Sequence, residues 1–79
     1  MTSEQVLYLQ ALGRLNSPPK GIGGIAGTLG RDVEVVSESI EPTLLALGFV
    51  ERTARGRILT AKGFQHLKET NQLTGSSKG

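Results

Sequence analysis

The sequence contains no cysteine, which excludes a disulfide framework and any thiolate metal site. Its single histidine, His66, cannot hold a metal alone. Tryptophan is absent and the aromatics are one tyrosine and two phenylalanines, so the core must come from Leu, Ile, Val and Ala. No apolar run nears the roughly 18 residues a membrane span needs. The start, Met1-Thr2-Ser3-Glu4, lacks the basic-then-apolar order of a signal peptide. These absences lead to the expectation of a soluble, cytoplasmic protein with no membrane partner. What remains is a chain of 79 residues with a 37% apolar share, enough for one domain. A chain this short buries only about 60% of the surface its unfolded form exposes, so its core has to be efficient.

The net charge of +2 permits an anionic partner without arguing for one, but the charges are segregated. Asp32, Glu34, Glu38 and Glu41 form a run without a base. Arg52, Arg55, Arg57, Lys62 and Lys68 follow, with Glu51 the one acid among them. The acidic run reads as a solvated face. The basic run is less easily set aside, because three arginines crowd around a glycine and guanidinium forks match phosphate geometry.

Thr2 caps a first helix, with Gln5 reaching back as in a capping box. Apolar Val6, Leu7, Leu9, Ala11, Leu12 and Leu15 make that helix largely buried, and Asn16-Ser17-Pro18-Pro19 ends it. From Lys20 to Leu29, Ile22, Ile25, Ala26 and Leu29 share one helical face, and Gly30 stops it. A third helix spans about Val33 to Leu47 with Val36, Ile40, Leu44 and Leu47 inward. Pro42 cannot bond the Glu38 carbonyl, so it kinks or splits that helix, and Gly48 ends it.

The period then changes. Phe49 to Thr53 and Arg57 to Thr60 read as two short strands joined by Ala54-Arg55-Gly56, with Gly56 taking the positive φ of a bulged three-residue loop. Thr60 caps a last helix from Ala61 to about Glu69, with Phe64 and Leu67 inward. Residues 70–79 read as a polar, flexible tail after a domain over residues 1–69. Three helices followed by a hairpin and a helix is a mainly α winged helix, in which a helix-turn-helix carries a small β-hairpin wing.

Most motifs that look chemical dissolve on inspection. Gly21-Ile22-Gly23-Gly24-Ile25-Ala26 matches a dinucleotide fingerprint, but prolines rather than a strand precede it. A glycine-rich helix packed closely on its neighbours is the stronger reading. There is no Walker A sequence, so the chain by itself is not expected to hydrolyse ATP, and no cofactor is expected. His66 has no nucleophile or orienting acid grouped with it and reads as surface or half-buried. Ser37 and Ser39 read as helix-surface hydroxyls, and Glu38 and Glu41 as part of a solvated face. The wing is left as the candidate site.

Ile40-Glu41-Pro42-Thr43-Leu44-Leu45-Ala46-Leu47-Gly48-Phe49 followed by Val50-Glu51-Arg52-Thr53-Ala54-Arg55-Gly56-Arg57 resembles the C-terminal winged-helix domain of the RuvB family of bacterial Holliday-junction branch-migration motors. Thr60, His66 and Leu67, and upstream Pro19-Lys20-Gly21-Ile22, stand where that family has similar residues. The likeness covers residues 6–68, with Ala54 and Ala61 in places where the family carries proline. It implies a domain excised from, or truncated relative to, an ATP-driven motor. That motor is a homohexameric ring that moves double-stranded DNA with the help of RuvA. It also implies that Arg55 leads the DNA contact, flanked by Arg52 and Arg57, with Gly56 in the turn and Lys62 nearby.

The residues support one version of that role. A third helix inserted in the major groove would push Asp32, Glu34 and Glu38 toward phosphates, so the wing is expected to touch DNA instead. Three arginine–phosphate contacts predict a log–log salt slope near roughly −2.7 and weak, sequence-blind affinity of about 10⁻⁴ to 10⁻⁶ M. A competing expectation is a protein-interaction module that docks through the acidic third helix, by Glu34 and Glu38. A sequence-specific regulator is disfavoured, because that helix has no Arg, Lys, Asn or Gln to read base edges.

Overall fold

The computed structural model describes residues 2–13 and 17–70. Helix α1 (Ser3–Ala11) opens with the expected capping box: the Thr2 hydroxyl accepts from the Gln5 amide, and the Gln5 side chain accepts from the Thr2 amide. The helix ends sooner than the prolines require. Gly13 adopts a φ of 87° and its amide bonds the Gln10 carbonyl, which closes the helix well before Pro18. Leu15 and Asn16, assigned to this helix and its end, lie outside the described residues, as do residues 71–79 of the expected tail.

Helix α2 (Ile22–Leu29) buries Ile25 and Ala26 on the predicted face. At Gly30 the Arg31 amide reaches the Ala26 carbonyl and the Gly30 amide the Gly27 carbonyl, the pair of bonds that stops a helix at a left-handed residue. The same pair recurs at Gly48, from Phe49 to Leu44 and from Gly48 to Leu45. Lys20, expected to begin α2, is instead extended and bridges to Arg57. The glycines of α2 are also not where close packing would put them. Gly23, Gly24 and Gly27 are exposed, and a methyl group on Gly23 or Gly27 would meet nothing within 4 Å.

Residues 33–47 are helical throughout but not uniformly α. A short α3 (Val33–Val35) passes into a π turn (Val36–Ile40) and then into α4 (Glu41–Leu47), with Pro42 in the first turn of α4. Pro42 has no amide to give the Glu38 carbonyl. The chain widens by one residue just before it, and the Glu41 amide bonds the Val36 carbonyl five residues back. Widening replaces the expected break. It also stacks residues five apart on one face, so that Val36 and Glu41 are both buried.

The wing pairs β1 (Val50–Thr53) with β2 (Gly56–Leu59) in antiparallel register, Val50 opposite Leu59 and Thr53 opposite Gly56. The connection is therefore two residues, Ala54 and Arg55, not three. Gly56 belongs to the strand, with a φ of 138°, and an added Cβ would sit 2.8 Å from the Lys20 carbonyl. Glycine is needed there both for the backbone angle and for the close approach of Lys20. Lys20 and Arg57 exchange both backbone bonds, at 2.8 and 2.9 Å, so β2 is bordered on its second edge.

Helix α5 (Ala61–Glu69) starts at Thr60, whose hydroxyl accepts from the Gly63 amide and donates to the Gly48 carbonyl at 2.6 Å. One core joins all these parts: Tyr8, Leu9 and Leu12, with Ile25, Val36, Ile40, Leu44, Val50, Leu59 and Leu67. The foot of the wing is thus anchored in the core, while its far end stands beyond it. Among the described residues no helix is long and apolar enough to cross a membrane.

Candidate nucleic-acid interface

Opposed residues of an antiparallel pair point to the same side, and that side alternates along the strands. Val50 and Leu59 face the core, so Arg52 and Arg57, two rungs further out, lie on that same face. Two guanidinium groups directly opposite would repel. The fold resolves this by turning one of them inward.

Arg57 Nε donates to Glu41 Oε2 at 2.6 Å and Nη2 to Oε1 at 3.2 Å. Tyr8 Oη donates to the same Oε2 at 2.5 Å. Tyr8 and Glu41 are buried and the Arg57 side chain is 18% exposed. Burial alone would raise the Glu41 carboxyl, but the bonds from Arg57 and Tyr8 and the Arg57 charge outweigh it and hold it below its ordinary range. Burial, and then the bond to Glu41, push the Tyr8 hydroxyl up, which keeps it a donor. The bond to Glu41 raises Arg57 further.

Two expectations are corrected here. Glu41 does not belong to a solvated face, because the π turn rotates it into the core. Arg57 presents little of its guanidinium to solvent, because Nε and Nη2 are spent on Glu41. Neither contact was visible in the sequence, where Arg57 stands 16 and Tyr8 33 positions from Glu41, each on a different element. One signal existed: a lone tyrosine in an apolar helix must find its hydroxyl a partner if it is buried.

The depressed Glu41 carboxyl makes a prediction about acid. Its contribution to stability is complete above the unfolded value of 4.5 and is lost as pH falls through the lower folded value. The melting temperature is expected to drop as the pH falls below about 4.5, and Glu41→Gln to flatten that drop while lowering stability at neutral pH. Circular-dichroism melts of both proteins across this range check it; parallel profiles would refute it.

The other candidates are placed differently. Arg55 is exposed at the apex of the turn. Its backbone is braced, since the Arg55 amide donates to Thr53 Oγ1 at 3.2 Å and that hydroxyl donates to the Gly56 carbonyl at 2.7 Å. Arg52 is exposed one rung back and adds a favourable charge to Glu41. Among the described residues, no hydrogen bond or ion pair holds the guanidinium of Arg52 or Arg55. Lys62 is at the opposite end of the hairpin, its ammonium 6.0 Å from the centre of the Phe49 ring. His66 stacks on that ring at 4.7 Å, half-buried as expected. Asp32, Glu34 and Glu38 are exposed.

Residues 1–68 match the family model described as the RuvB C-terminal winged helix domain. The chain belongs to that family. A Campylobacter jejuni protein described as Holliday junction branch migration complex subunit RuvB is 44% identical over 67 residues, which cover 85% of this chain and 20% of that one. The Lactiplantibacillus plantarum subunit RuvB is 47% identical over 49 residues, 62% of this chain and 15% of that one. The structure of the Thermotoga maritima RuvB Holliday junction branch migration motor superposes with a TM-score of 0.78 at 36% identity, over 86% of this chain and 23% of that one. The chain thus spans about a fifth of the length of its RuvB relatives. Their RuvB winged helix is the fold seen here, as the sequence resemblance implied.

Proposed function

We propose that this domain grips duplex DNA through the wing tip, without reading sequence, as one component of a cytoplasmic Holliday-junction branch-migration motor. The motor would be the ATP-driven homohexameric ring of the RuvB family, assisted by RuvA. The observation that carries the DNA contact is the apex itself: Arg55 has an uncommitted guanidinium on a braced two-residue turn. Arg52 joins it from the strand. Gly56 supports the turn without offering a side chain, and Lys62, at the hairpin's foot, meets phosphate only along a duplex lying lengthwise on the wing. A loose, sequence-blind hold suits a motor that must step, since tight base readout would stall it.

Because Arg57 is committed to Glu41, the expected phosphate count falls from three to two. The log–log salt slope should then lie near about −1.8, and Arg55→Ala should bring it to about −0.9. Fluorescence anisotropy of a labelled duplex at several salt concentrations measures both. Lys62→Ala is expected to change less than Arg55→Ala. If Arg55→Ala binds as well as the wild type with an unaltered slope, the wing tip is not the contact.

A further inference from the structure

We infer that Arg57 is the positioning residue of the wing: held by Glu41 and Tyr8, it fixes the angle at which Arg55 and Arg52 meet DNA. This rests on the wing-tip reading above. The hairpin is held at its foot by Val50 and Leu59 in the core, and its apex lies outside the core. A two-stranded ribbon is a soft object, marginal by itself and free to twist. It therefore needs a second point of attachment if its end is to keep one direction.

Arg57 supplies that point in two ways. Its backbone exchanges two hydrogen bonds with Lys20, which fix the strand edge but leave the ribbon free to swing about the line through them. Its side chain reaches Glu41, off that line, and two directional bonds there block the swing. Tyr8 in turn fixes the carboxylate that receives them. Three elements, α1, α4 and β2, are locked through a single carboxylate, and Arg55 lies only two residues from the lock.

The test exchanges this clamp for a contact without direction. Glu41→Met with Arg57→Met removes one charge of each sign, so the net charge is preserved. Replacing a buried ion pair by apolar side chains of similar volume commonly leaves a fold intact. The wing should then sample several orientations. If the competent one is occupied about one fifth of the time, duplex affinity falls about fivefold. The salt slope should stay that of the wild type, because no phosphate contact has been removed. Nitrogen-15 order parameters at Ala54, Arg55 and Gly56 should fall at the same time.

Wild-type affinity and wing order in the folded double variant would overturn the inference. So would a slope reduced by about 0.9, which would make Arg57 itself a phosphate contact. Should the double variant not fold, Tyr8→Phe removes the hydroxyl alone. It is expected to lower the same order parameters in the same direction, and unchanged order would refute the clamp. If the wild type binds no duplex, the wing-tip reading fails, and the order parameters still decide whether Arg57 fixes the wing.

Discussion

Arg57→Ala is expected to destabilise the domain by about 3–5 kcal/mol, the usual cost of stripping one partner from a buried ion pair. A domain of this length has roughly 4–12 kcal/mol in all, so the variant should be close to unfolding at ambient temperature. The reason is Glu41, which would remain buried with Tyr8 as its one hydrogen-bond partner among the described residues. A carboxylate so placed relieves itself by taking up a proton, because burial then raises its pKa without the guanidinium to oppose it. The pH dependence should accordingly change sign. The wild type loses stability as the solution is acidified, whereas Arg57→Ala should gain it on going from about pH 8 to about pH 5. Adding Glu41→Gln should remove that gain. Arg55→Ala, by contrast, touches an exposed side chain and is expected to move stability by less than about 0.5 kcal/mol. Urea titrations of the set, followed by far-ultraviolet circular dichroism, separate these outcomes. Equal effects at positions 55 and 57 would contradict the division of labour between the two arginines.

Gly63→Ala should be the other severe substitution. In an exposed helix this change adds up to about 1 kcal/mol of stability. Here the new Cβ would lie 2.9 Å from Leu59 Cδ1 and far inside contact distance of the Phe49 carbonyl oxygen. That oxygen cannot easily retreat, since it accepts the Thr60 amide bond at 3.1 Å that joins the wing to α5. Overpacking of this kind costs about 1–3 kcal/mol, and contact with backbone belongs at the upper end. Gly27→Ala is the matched control. It lies in open space on α2, and the substitution should stabilise by about 0.5–1 kcal/mol. Opposite signs for the same chemical change, read from denaturation midpoints, test whether α5 is packed as tightly on the wing as the structure has it.

Local signals were readable in the sequence because their causes are local. The Thr2 and Thr60 caps, the stops at Gly30 and Gly48 and the change of period at Phe49 each depend on a few neighbouring residues, and the structure bears each of them out. The helix–helix–helix–hairpin–helix order followed from them. The fate of the charged residues was not readable in that way. Glu41 looked like a member of a solvated run and Arg57 like a flank of the DNA contact, whereas the π turn ahead of Pro42 and the first turn of α4 bring the acid around to the core, where it meets that arginine. Counting at α-helical spacing misses a rotation of this kind. Gly63 and Lys20 were likewise assigned by their own segments, when their roles are set by a backbone from elsewhere, Phe49 in one case and Gly56–Arg57 in the other. Arg55 needed no distant partner, and it stands at the apex of the turn, where the sequence alone put it.

The bridge between Lys20 and Arg57 has a mechanical meaning. It seals residues 20–57 into a ring of chain whose two ends meet beside the wing. A tug on the apex is therefore delivered to both ends of that ring together, and through them to α1 and α4, instead of being absorbed by bending a free finger.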